Sequence, residues 1–217
     1  MDFDLAKRAV ITVGPGHGFV VAGPSETFHV ITASHCLPYL SPAHPASPLE
    51  ERTYANLLGH LGESPTVWAE CLFADPVADI AVLGQPDSQS LYAENEAYCE
   101  LMPDIPLAIA DTPHDYKPIM IKTFDGEMIE AKDHYESLTT QAWLLSLDGN
   151  WFECEVEHRP DGPLWISKAN ELSVGGMSGS PILSKAGATI GVACTSVNDG
   201  LEGGPNPRLM ANLPGWT

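Results

Sequence analysis

Ser178 lies in Gly175-Gly176-Met177-Ser178-Gly179-Ser180-Pro181. Small neighbours leave a serine hydroxyl exposed and let a substrate carbonyl approach the backbone. The N–H groups of Gly176 and Ser178 are candidates to point at one oxygen, the donor pair an oxyanion needs. A serine is a weak nucleophile; it needs a base, and the base needs an orienting carboxylate. All eight histidines precede Ser178, which excludes sites where the serine comes first, then the acid, then the histidine. The strand-to-helix elbow of those sites also fails, because Ser180 stands where its second glycine belongs. The order histidine, aspartate, serine stays open. His35 follows the β-branched run Val30-Ile31-Thr32, and Asp79 precedes Ile80-Ala81-Val82-Leu83, where a carboxylate should be largely desolvated. Taken singly, each has a plain alternative: a glycine-rich stretch is an ordinary loop, and a polar residue beside a strand is an edge or turn residue.

The elements around these residues read as short strands. Ala9–Val13, Gly18–Ala22 and Phe28–Thr32 are separated by Gly/Pro turns. Ser47-Pro48-Leu49-Glu50 carries helix-start residues, so a short helix is expected from Pro48 to Leu58. Strands are expected again at Val67–Phe73 and Ile80–Leu83, and a helix from Ser90 to Leu101. Pro103 and Pro106 then mark the boundary between halves. Beyond it, Pro118–Phe124, Trp143–Leu147, Trp151–Glu157, Pro181–Leu183 and Thr189–Ala193 read as strands. Asp148-Gly149-Asn150 is a hairpin turn, and a short helix follows Asn206-Pro207. Nineteen glycines and nineteen prolines in 217 residues agree with many turns. The expected organisation is two all-β units, residues 1–103 and 104–217.

Three segments together resemble the trypsin-like serine peptidases. Thr32-Ala33-Ser34-His35-Cys36 is similar to the family's Thr-Ala-x-His-Cys, Asp79-Ile80-Ala81-Val82-Leu83 to its Asp-Ile-Ala-Leu type segment, and Gly176-Met177-Ser178-Gly179-Ser180-Pro181 to its Gly-x-Ser-Gly-x-Pro. Gly16-His17-Gly18-Phe19 looks like the turn before the histidine strand. The resemblance implies an all-β fold of two antiparallel six-stranded barrels with the site in the cleft between them. It implies an endopeptidase acting through an acyl-enzyme with His35, Asp79 and Ser178 as triad, Gly176 and Ser178 as oxyanion donors, a protein or peptide as substrate, and no cofactor. A protease-fold binding module with weak turnover is the alternative. By the same resemblance Leu172 and Ser173 floor the pocket for the residue before the cut bond, and Cys194-Thr195-Ser196 forms its opposite wall. A leucine there implies an apolar substrate side chain, since an arginine or lysine would be buried without a partner. The family's usual partner for Cys36 would stand near Gly16 or His17, and neither is cysteine, so Cys36 should be a free thiol.

Ten Lys and Arg against 29 Asp and Glu give a net charge of −19. Such a surface repels phosphate backbones and anionic lipid, so neither nucleic acid nor a membrane is an expected partner. The first residues, Met1-Asp2-Phe3-Asp4, lack a signal peptide's basic start and apolar core. Five scattered cysteines form no CxxC pair, which speaks against a zinc ribbon and fits a reducing, cytoplasmic compartment. Asp111, His114 and Asp115 read as a solvated loop, not a metal site. Glu153, Glu155 and Glu157 should face water, and Trp68, Trp143, Trp151 and Trp165 should face barrel cores.

Overall fold

A computed structural model of the chain describes residues 2–24, 27–41, 52–111, 116–160, 162–171, 174–194 and 205–217. The first barrel is closed and built from β1 (Val10–Val13), β2 (Gly16–Ala22), β3 (Phe28–Thr32), β4 (Thr53–His60), β5 (Val67–Asp75) and β6 (Ile80–Gly84), in the order β1-β2-β3-β6-β5-β4. Its strands carry β-branched and aromatic residues such as Phe19, Val30, Ile31 and Ile80, all without solvent contact. Such residues suit a pleated surface packed on its concave side.

The second sheet uses β9 (Leu138–Leu145), β10 (Trp151–His158), β11 (Leu164–Ala169), β12 (Pro181–Ser184), β13 (Thr189–Val192) and β14 (Pro205–Asn206), in the order β13-β12-β9-β10-β11-β14. Its two ends approach each other: Gly191 bridges Arg208, and Val192 N–H reaches the Pro207 carbonyl at 3.3 Å. The sheet therefore comes close to a second barrel. The connecting chain stitches both units, with Leu107 bridged to Val21 of β2 and Ile109 to Thr189 of β13.

Among the described residues, three helices lie outside the barrels: α1 (Phe3–Arg8), α2 (Tyr92–Leu101) and α3 (Leu209–Asn212). In α2 the buried Tyr98 donates its hydroxyl to the Phe28 carbonyl at 3.0 Å, which fixes the helix to the first barrel. α1 has no counterpart in the sequence reading. Asp2 caps it by accepting from Leu5 N–H at 3.0 Å, and Phe3 stacks on Trp151 at 5.9 Å and meets Trp143 at 6.0 Å. A further hairpin, β7 (Pro118–Lys122) and β8 (Met128–Tyr135), forms its own two-stranded sheet.

Two expectations need correction. The helix expected from Pro48 to Leu58 gives way, from Thr53 on, to β4, while residues 48–51 lie outside the described set. The Ser-Pro-x-Glu start signal is local, whereas β4 pairs with both β1 and β5 and is needed to close the barrel. Of the four tryptophans, Trp143 and Trp151 pack against a core, but Trp165 is 40% exposed on β11 and Trp68 is half-buried. Glu155 and Glu157 pair with Lys168 and Arg159 on the outer face of β10, as a wetted surface requires.

Candidate active site

His35 stands in the tight turn Ser34–Cys36 immediately after β3, with its side chain 47% exposed. Asp79 precedes β6 and adopts the left-handed conformation, φ 56°. Aspartate tolerates that region better than most residues, and three donors hold it there. His35 Nδ1 lies 2.7 Å from Asp79 Oδ2, while Oδ1 accepts from Ser34 Oγ at 2.8 Å and from the His35 backbone N–H at 3.0 Å. A carboxylate only accepts, so the imidazole proton sits on Nδ1 and the lone pair is left on Nε2. The Asp79 side chain is 24% exposed, wetter than the desolvated position its sequence context suggests.

Ser178 is presented by the turn before β12, and that turn is docked on the first barrel. The Ser178 carbonyl accepts from His17 N–H at 2.7 Å and lies 3.7 Å from the Cys36 thiol. Gly179 has φ 85°, and a Cβ there would lie 1.8 Å from the His17 carbonyl, so only glycine fits. Ser180 is fully buried, with its Oγ 2.7 Å from His17 Nδ1. Gly176 also has positive φ, 95°. The N–H groups of Met177, Gly179 and Ser180 bond to Val174, Ala193 and Met177 carbonyls. Those of Gly176 and Ser178 have no acceptor among the described residues.

Cys194, just after β13, joins the two halves of the site. Its thiol donates to the Asp79 backbone carbonyl at 3.1 Å, and its carbonyl accepts from Ser178 Oγ at 3.3 Å. Its own N–H is held by Asn206 Oδ1 at 2.8 Å. Burial pushes the Cys194 thiol far up from its ordinary range, with the neighbouring Asp79 charge adding to the shift. Burial likewise raises Cys36 to about 11. Both are therefore neutral thiols, donors to carbonyls and not nucleophiles. Beside Asp79 opens a cleft of about 740 Å³, walled by Val77 and Ala78 on one side and by Pro205, Asn206 and Arg208 on the other.

The sequence-derived residues His35, Asp79, Ser178, Gly176 and Cys194 thus lie in two connected groups joined through Cys194. Leu172, Ser173, Thr195 and Ser196 lie outside the described residues, as do His114 and Asp115. Sequence reasoning did not assign Ser34, His17, Ser180 or Asn206 to the site's support. Ser34 and His17 stand inside the quoted motifs and were findable. Asn206 carries no local signal, because its bond to Cys194 crosses from β14 to the end of β13.

No family model matches the chain, nor does any curated protein sequence. Solved structures do. Rv3671c from M. tuberculosis H37Rv, a serine-to-alanine mutant in an inactive form, aligns with a TM-score of 0.50 over 94% of this chain and 83% of that one, at 18% identity. The MamO protease domain from Magnetospirillum magneticum aligns with a TM-score of 0.52 over 98% of this chain and 99% of that one, at 12% identity. The shared architecture is the trypsin-like double barrel, and at these identities the likeness is one of fold.

Proposed function

We propose that the chain is a serine endopeptidase that cleaves protein or peptide substrates through an acyl-enzyme. The observation that carries this reading is the His35–Asp79 pair: a 2.7 Å contact that fixes the imidazole with its basic Nε2 turned away from the carboxylate. Ser178 Oγ attacks the scissile carbonyl while His35 Nε2 takes its proton. Asp79 holds the tautomer and stabilises the imidazolium that forms. The free N–H groups of Gly176 and Ser178 receive the oxyanion. His35 then gives the proton to the leaving amine, and a water repeats the sequence on the acyl-enzyme. No cofactor enters these steps. The free thiols of all five cysteines support a reducing, cytoplasmic setting.

A second reading, a protease-fold module that holds a partner without turning it over, is favoured by one observation. Ser178 Oγ rests on the Cys194 carbonyl at 3.3 Å and has no hydrogen bond to His35. Under the enzyme reading that contact is a resting rotamer, and the hydroxyl swings to Nε2 when substrate fills the cleft. A fluorophosphonate probe separates the two. The enzyme becomes labelled, and labelling is lost in Ser178→Ala. Peptide turnover falls by about 10⁴-fold in either Ser178→Ala or His35→Ala. A folded wild-type chain that takes up no probe would establish the binding module instead.

A further inference from the structure

Ser34 donates its hydroxyl to Asp79 Oδ1 at 2.8 Å, yet it takes no part in the proton transfers of the acyl-enzyme route. The two residues are 45 positions apart, so this bond is not the local turn contact serines often make. Oδ1 accepts a second donor, the His35 backbone N–H at 3.0 Å. Both donors come from the tight turn Ser34–Cys36, which backbone bonds already close: Cys36 N–H to the Ala33 carbonyl at 3.0 Å and Leu37 N–H to the Ser34 carbonyl at 3.1 Å. The turn therefore forms without the hydroxyl. The hydrogen bond that reaches Asp79 from the end of β13 comes from the Cys194 thiol and ends on the backbone carbonyl, not on the carboxylate. Ser34 is 5% exposed, whereas the His35 side chain is 47% exposed. Among the described residues, the His35 ring has a hydrogen bond only to Asp79 Oδ2. An imidazole this exposed takes its orientation from the carboxylate, not from packing.

We infer that Ser34 is a positioning residue, whose hydroxyl fixes the rotation of the Asp79 carboxylate so that Oδ2 stays on His35 Nδ1. With Oδ1 anchored by two donors, the carboxylate plane turns only by breaking both bonds. Without the hydroxyl a single backbone N–H remains, and water competes for a side chain that is 24% exposed. Oδ2 then drifts, and the imidazole loses the contact that keeps its proton on Nδ1 and its lone pair on Nε2. Hydrogen bonds to an ionised group are among the stronger ones, so the loss is one that turnover should register. Ser34 does not touch the reacting atoms; it acts through Asp79. Its effect should therefore fall on turnover and not on substrate binding, and it should vanish once the carboxylate is gone. The kinetic consequence rests on the peptidase reading, whereas the hold on the carboxylate does not.

Peptide turnover and imidazole proton exchange test the inference on the full chain. In Ser34→Ala, kcat should fall by about tenfold while KM stays within about twofold. Ser34→Cys, which fills the same space with a weak donor, should lose turnover as Ser34→Ala does, because the donor and not the volume is at stake. In an Asp79→Asn background, adding Ser34→Ala should lower the residual turnover by less than about twofold, since no carboxylate is left to hold. A serine that only supports the fold would lower the unfolding midpoint alike in both backgrounds and leave kcat unchanged. The second readout needs no turnover. By nuclear magnetic resonance, the His35 Nδ1 proton, assigned by its loss in His35→Gln, should exchange with solvent faster in Ser34→Ala than in the parent chain at the same pH. Unchanged kcat in Ser34→Ala, an equal loss in the Asp79→Asn background, or equal proton exchange in both chains would each overturn the inference. A parent chain that takes up no fluorophosphonate overturns the peptidase reading instead, and proton exchange alone then decides the role of Ser34.

Discussion

At the residue scale, Ser178, the proposed nucleophile, and its neighbours have separable roles. Ser180 stands two positions from Ser178 and could be mistaken for it from the motif alone. Its complete burial and its contact with His17 make it a structural tie between the barrels. Replacing either partner strands the other as a buried polar group, which costs about 1–3 kcal/mol. Urea denaturation should therefore show Ser180→Ala and His17→Ala each destabilised by that amount, and the double variant by less than their sum. Ser180→Ala should still take up a fluorophosphonate probe. Loss of labelling there with Ser178 intact would reassign the nucleophile. His35, Asp79 and Ser178 were legible because each stands at a strand end inside a short run of distinctive residues. Asn206 was not, since its partner Cys194 is 12 positions away across a sheet, and no spacing in the sequence reports that contact.

At the scale of elements, local signals lost wherever barrel closure set the outcome. A helix-start signal acts only over its own turn. β4 gains two neighbouring strands and a buried face, and that outweighs a cap. α1 escaped notice for the opposite reason: at six residues it is too short for a periodic pattern, and its stability comes from the tryptophans it covers. Trp151 Nε1–H donates to the Phe3 carbonyl at 3.1 Å, and both indoles meet the Phe3 ring. Phe3→Ala should cost roughly 2 kcal/mol, less than the 3–5 of a fully enclosed phenylalanine. Tryptophan emission should shift to the red in the folded variant as water reaches Trp151. An unchanged spectrum and midpoint would show that α1 contributes nothing to the second sheet.

Across the whole molecule, the fold class and the double-barrel plan were legible from turn density and strand spacing together with the four motifs, while the β7–β8 hairpin was seen only as one strand. Its apolar pattern looks like core, yet Ile119, Met120, Ile121, Met128 and Ile129 are between 38% and 57% exposed. Acid should weaken the molecule through buried imidazoles. Burial lowers the pKa of His17, His29 and His158 from the ordinary 6.5, with Arg208 adding to the effect at His158. The unfolded chain then binds protons that the folded chain refuses, so stability holds above the unfolded value and falls as pH drops below it. Between about pH 7 and pH 5.5, where carboxylates stay ionised, the urea midpoint should decline, and His158→Gln should flatten that slope. The docking of Ser178 on His17 also bears on how the protein comes into being. His17 and Ser180 are 163 positions apart, and β6 completes the first barrel at Gly84. At 5–20 residues per second, roughly ten seconds of translation separate the first barrel from the residues that close the site. Through that interval a growing chain holds a histidine and an aspartate with no serine between the barrels. Under the peptidase reading, a product stalled before Ser178 is inert by construction, and the cell meets hydrolytic activity only from chains extended past that residue.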